Sequence, residues 1–155
     1  MARLDVYTDA ELRRLAFMLR KADAKDLREE LRKGQREAFR PLQKKVKENA
    51  AAMLPKRGGY NAVMARAVKV TVLTKLQGDI SVVAHVYASG RKEHRDVAAV
   101  NAGRLRHPLF GRRRHWFTTT VAPRFVHRAV DELPDEVLDK SAEAAERVLE
   151  AIARG

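Results

Sequence analysis

Apolar positions in the first third of the chain recur every three or four residues. Leu12, Leu15, Ala16 and Leu19 form one short stripe. After a break at "KADAKD", the residues Leu27, Leu31, Ala38, Leu42, Val46, Ala50 and Met53 form a longer one among lysines, arginines and glutamates. This spacing predicts amphipathic helices over 8–53. The first is opened by the capping box "TDAE", and the second is kinked at Pro41, which lacks a backbone donor. The segment "PKRGG" interrupts the pattern, so Lys56, Arg57, Gly58 and Gly59 are expected in a flexible loop over 55–61.

The period then changes. "VKVTVLTKL" and "ISVVAHVY" are β-branched and roughly alternating, with "QGD" between them, which predicts a hairpin. "ASGRKEHRD" reads as an exposed insertion, and "WFTTTV" as a third strand of a sheet spanning 68–121. From Pro123 the helical period returns: Val126, Val130, Leu133, Val137, Ala144, Val148 and Ile152 share one stripe of a helix over 124–153, with a kink at Pro134. Helices flanking a small antiparallel sheet make an α+β fold.

A length of 155 residues and 45% hydrophobic content suit one domain with one modest core. With no cysteine, thiolate chemistry, disulfides and cysteine-held zinc are excluded, and no stretch resembles a leader peptide or a membrane span, so a soluble cytosolic chain is expected. The charge of +12 is unevenly placed: residues 1–123 hold 27 Lys/Arg and 12 Asp/Glu, and the remainder 5 and 8. A basic body with an acidic tail points to an acidic partner.

No arrangement selects a catalytic set, a cofactor or a metal. His85, His94, His107, His115 and His127 form no paired spacing on one helix, and "KRGGYN" lacks the remaining residues of a phosphate loop. Asp131, Glu132, Asp135, Glu136 and Asp139 read as the polar side of a helix. The densest chemistry lies in "GRLRHPLFGRRRHWFTTT". There Arg104, Arg106, Arg112, Arg113 and Arg114 surround the turn His107, Pro108, Leu109, Phe110 and Gly111 and precede Trp116 and Phe117. Cationic and stacking groups together are the ingredients of nonspecific nucleic-acid binding. They equally suit bidentate contacts with protein carboxylates.

"GRLRHPLFGRRRHW", followed by "PRF" and an amphipathic last helix, resembles the neck, or tail-completion, proteins of long-tailed bacteriophages, from about Leu12 to Ile152. The sequence departs from that pattern at Thr118, Thr119 and Thr120, where a glutamine often follows the tryptophan strand. The resemblance implies a non-enzymatic structural protein of the virion that joins head to tail. It implies a homo-oligomeric ring, hexameric or dodecameric, between a head-closure or portal-side protein and a tail terminator or tail tube protein. Contact with packaged DNA fits that place, and a membrane does not. In such a ring the five arginines, with Asp131, Asp135, Glu136 and Asp139, are the expected partner-facing residues.

Overall fold

The computed structural model describes residues 2–6, 17–18, 25–75, 81–90, 96–109, 112–133 and 135–154, with the backbone alone for 2–6, 81, 109, 112 and 113. The fold is α+β. Strand β1 (Ala2–Val6) comes first, followed by helix α1 (Lys25–Ala38) and helix α2 (Arg40–Met53). A 3-10 turn (Arg57–Gly59) leads into α3 (Tyr60–Ala67), β2 (Val68–Lys75) and β3 (Ser81–Ala88). Then come α4 (Val97–Asn101), β4 (Arg104–Leu109), β5 (Arg112–Thr120), α5 (Phe125–Asp131) and α6 (Asp135–Arg154). The capping box at Thr8 and the turn "QGD" lie outside the described residues.

The longer helical stripe of the first third is buried, while Leu12, Leu15, Ala16 and Leu19 lie outside the described residues. Leu31, Ala38, Leu42, Val46 and Ala50 are all buried. The kink expected at Pro41 is a full break at Phe39, which separates α1 from α2. Proline crowds the carbonyl four residues earlier and cannot donate, so the helix restarts rather than bends.

Two expectations are corrected. The strands form two sheets, one of order β1-β3-β2 and the other the pair β4-β5, so residues 116–120 pair with 104–108, which include His107 and Pro108, expected in a turn. Within 55–61 the Arg57–Gly59 turn leads directly into α3: the Gly59 amide donates to the Lys56 carbonyl at 2.9 Å, and Asn61 Nδ2 to the Ala51 carbonyl at 2.8 Å. Gly58 and Gly59 have φ of 68° and 69°, the left-handed region that glycine enters without strain. The helix expected over 124–153 is two helices, α5 ending at Asp131 and α6 beginning at Asp135, while the kink expected at Pro134 falls on a residue outside those described. The chain groups into two compact units, each assembled from three segments.

One unit comprises 1–2, 42–70 and 86–133. Its core contains Leu42, Val46, Met64, Val97, Val100, Phe125 and Val126, and Asn49 Nδ2 donates to the Phe125 carbonyl within it at 3.3 Å. Glu132, at the end of α5, pairs with Lys45 of α2 at 3.0 Å and Arg128 at 2.7 Å.

The other unit comprises 3–41, 71–85 and 134–155. Here α1 and α6 pack along each other through Leu31, Ala145 and Val148, flanked by Leu27, Leu149 and Ile152. Fully buried Gln35 donates from Nε2 to the Ser141 carbonyl at 2.9 Å and accepts from the Ser141 hydroxyl. Beside this bond a Cβ on Gly34 would stand 2.7 Å from Ala144 Cβ, so the helices approach as closely as a hydrogen side chain allows.

That approach generates a prediction. Gly34→Ala gains about 1 kcal/mol of helix propensity but forces the helices apart, for a net loss of about 1 to 2 kcal/mol in denaturant unfolding. Combining it with Ala144→Gly should recover part of the loss. Strict additivity of the two substitutions would contradict the contact.

Candidate functional site

The arginine-rich segment forms an antiparallel hairpin in which β4 and β5 pair only with each other. His107, Pro108 and Leu109, expected in a turn, belong to β4, with a register irregularity between Pro108 and Leu109. Phe110 and Gly111 lie outside the described residues, so the anchoring expected of Phe110 falls there too. The side chains of Arg112 and Arg113 are likewise outside, although their backbone opens β5.

Side chains in paired strands alternate between faces, so the register sorts the hairpin. Arg104 lies opposite Thr120, Arg106 opposite Thr118 and Pro108 opposite Trp116 on one face; Leu105 opposite Thr119 and His107 opposite Phe117 occupy the other. Arg114 lies in the irregular stretch between Trp116 and Arg112, where the register no longer assigns a face, and its side chain is exposed. On the first face Arg104, Arg106, Thr118 and Thr120 are exposed, and the Arg106 guanidinium stacks 5.4 Å from the half-buried Trp116 ring. The second face is tied down at one end, where Leu105 is buried and Thr119 Oγ bonds His107 Nε2 at 2.9 Å. Phe117 remains half-exposed on it.

The base of the hairpin is fixed by one buried side chain. Asn101 closes α4, which Asp96 opens by accepting from the amides of Ala98 and Ala99 at 3.0 and 3.1 Å. The Asn101 carbonyl accepts from the Arg124 amide at 2.7 Å, and its Oδ1 accepts from the Val126 amide at 2.9 Å. Its Nδ2 donates to His127 Nδ1 at 2.7 Å, which places the proton of a neutral His127 on Nε2. Between these anchors the Val121 amide donates to the Gly103 carbonyl at 2.9 Å. Gly103 has φ of 87°, and a Cβ there would press on the Val121 carbonyl at 3.3 Å.

Electrostatically the hairpin is one-signed. No Asp or Glu occurs between Asp96 and Asp131, while seven arginines do. Neither Arg104 nor Arg114 has an ion-pair partner among the described residues.

The acidic residues expected to face a partner divide. Asp131 pairs with Arg124 at 3.5 Å, and Glu136 pairs with Lys140, which holds its carboxyl below the ordinary value through a hydrogen bond and the nearby charge. Asp135 and Asp139 are exposed with no salt-bridge partner among the described residues, as are Glu143 and Glu146, which stand outside the acidic set expected from the sequence. The i, i+4, i+8, i+11 recurrence from Asp135 is the signal that marks them. Lys56, Arg57, Gly58 and Gly59 remain in their turn.

Among the described residues no three His, Asp or Glu side chains gather as a metal site, and no helix is long and apolar enough to cross a membrane. His94 lies outside those residues, His115 is exposed, and His85 Nδ1 is buried without a hydrogen-bond partner. A shallow hollow along α1 is lined by charges of both signs, Glu29, Glu30 and Glu37 beside Arg32, Arg36 and Arg40. No family model matches the chain, nor does any curated protein or solved structure.

Two measurements follow from this geometry. Asn101→Ala strands the buried Val126 amide and should cost about 1 to 3 kcal/mol, read from denaturant melts. Undiminished stability would mean that the hairpin base is held by other contacts.

The second concerns Glu132. Hydrogen bonds from Arg128 and Lys45 hold its carboxyl below its ordinary value of 4.5. A depressed folded value stabilises the fold above the unfolded value, and that stabilisation fades as pH falls through the folded one. The stability difference between the protein and Glu132→Gln should therefore be present at neutral pH and shrink below the ordinary carboxylate range. A difference independent of pH would contradict this.

Proposed function

We propose that the protein is a structural, non-enzymatic component of a long-tailed phage virion, joining the head to the tail as a ring-forming neck or tail-completion protein. The observation that carries this reading is the β4–β5 hairpin, held at its base by Asn101 and presenting a cationic face. A two-stranded sheet is marginally stable alone, and such an element gains most from lying against another surface. The same hairpin contains "RLRHPL" and "RRRHW", where the resemblance to neck proteins is concentrated. Arginine suits the role because its planar guanidinium forms bidentate bonds with carboxylates. The partners are further copies of the chain, a head-closure or portal-side protein, and a tail terminator or tail tube protein.

A second reading is favoured by the stack of Arg106 on Trp116 within the acid-free segment. A cationic face with an aromatic ring fits nonspecific nucleic-acid binding, which depends steeply on salt.

The separating experiment is deletion of the gene from the phage or prophage that encodes it. The neck reading expects filled heads and separate tails by electron microscopy, with joining restored by the wild-type gene supplied in trans. Complete infectious particles without the gene overturn that reading. Unfilled heads, together with salt-sensitive DNA binding by the purified protein, would put the nucleic-acid reading in its place.

A further inference from the structure

We propose that the cationic face of the β4–β5 hairpin docks on the acidic face of α6 in a second copy of the chain, so that copies associate head to tail. This rests on the reading of the protein as a ring component and names the contact that would close the ring.

Three observations carry it. Arg104, opposite Thr120, and Arg114, in the irregular stretch before Trp116, are both exposed on the hairpin and lack a carboxylate partner among the described residues. Asp135, Asp139, Glu143 and Glu146 stand at i, i+4, i+8 and i+11 on α6, all exposed; none forms a salt bridge among the described residues, although Glu143 is near enough to Lys140 to raise the pKa of that lysine. Other exposed carboxylates nearby are already engaged, Glu136 by Lys140, Glu150 by Arg154 and Asp131 by Arg124. The two faces are thus of opposite sign, and exposed charges on each element, Arg104 and Arg114 on the hairpin and Asp135, Asp139 and Glu146 on α6, form no salt bridge among the described residues.

Each face also carries an apolar group. Trp116 is half-buried among the arginines, and Leu138, one turn from Asp135 and beside Asp139, is 50% exposed. Burying a leucine and part of an indole supplies attraction, while the surrounding charges fix register. The occupant is a second copy because a chain of net charge +12 repels its own kind unless a negative patch is presented locally, and α6 bears six acidic residues against three basic ones. Two different patches meeting is the heterologous arrangement that rings require.

The test is a charge swap on the full chain. One variant carries Arg104→Glu with Arg114→Glu, the other Asp139→Lys with Glu143→Lys, and circular dichroism confirms that each is folded. By sedimentation and native mass spectrometry the wild-type protein should self-associate at low salt and dissociate as salt rises. Each variant alone should associate at least about tenfold more weakly, because two opposite charges at the contact become like ones. Mixing the two should restore assembly, solely as hetero-oligomers with equal numbers of each, since each hairpin then meets a helix of opposite charge.

A wild-type chain that remains monomeric at low salt overturns the contact. So does a mixture no more associated than its parts, or undiminished self-association of the hairpin variant with loss only of DNA binding. If reversal leaves the rings intact while deletion of the gene still separates heads from tails, this contact is wrong and the neck reading stands.

Discussion

Buried polar groups must find partners inside the protein, because the water they leave behind would otherwise have satisfied them. Asn101 meets that demand with three bonds reaching three consecutive parts of the following segment: its carbonyl takes the Arg124 amide, Oδ1 the Val126 amide, and Nδ2 donates to His127. The chain leaves Asn101 as β4 and returns after β5 to the same side chain. The hairpin is therefore a closed excursion whose two ends are fastened to one residue. Arg124, held at φ 66°, turns the chain into α5, and Phe125 follows it fully buried. A helix start, a strand exit and a core aromatic are positioned together, and the cationic face is presented by a base that packing and hydrogen bonds define.

The helices were legible in the sequence because burial and period coincide there. Leu31, Leu42, Val46 and Ala50 repeat at the spacing of one helix face, and all are buried. The pair β2 and β3 was legible for a different reason, since long β-branched runs have few alternatives. Its imperfect alternation also has an explanation: β3 is central in the order β1-β3-β2, and Val82, Val83, Ala84 and Val86 are all buried. Such a strand shows no polar side to the solvent, so period two fades.

The hairpin was not legible as a hairpin. β4 carries arginines at alternate positions with a proline, and its pairing lies in backbone bonds that composition does not register. α4, five residues long, is too short to display a period; its signature is the Asp96 cap. The arginines could be named in advance because charge clusters are visible in sequence, but their division into faces needed the register. Thr119 acts locally by fastening His107 across the strands. That bond leaves Thr118 and Thr120 to line the cationic face beside the arginines.

Charge distribution separates the two roles that a basic surface can play. A surface evolved only to neutralise phosphates has no need of a compensating acidic face, whereas association among identical cationic chains does need one. Here seven arginines occupy a stretch free of carboxylates, and α6 gathers six acidic residues, of which Glu136 and Glu150 are paired along the helix with Lys140 and Arg154. Exposed ion pairs contribute only about 0 to 1 kcal/mol each, so no single pair could hold two copies together. Their value lies in orientation, because a displaced register sets like charges against one another and that penalty is larger than the gain from any one pair. In a closed ring of the proposed kind, weak oriented contacts would reinforce one another, since the last subunit is held by two neighbours at once.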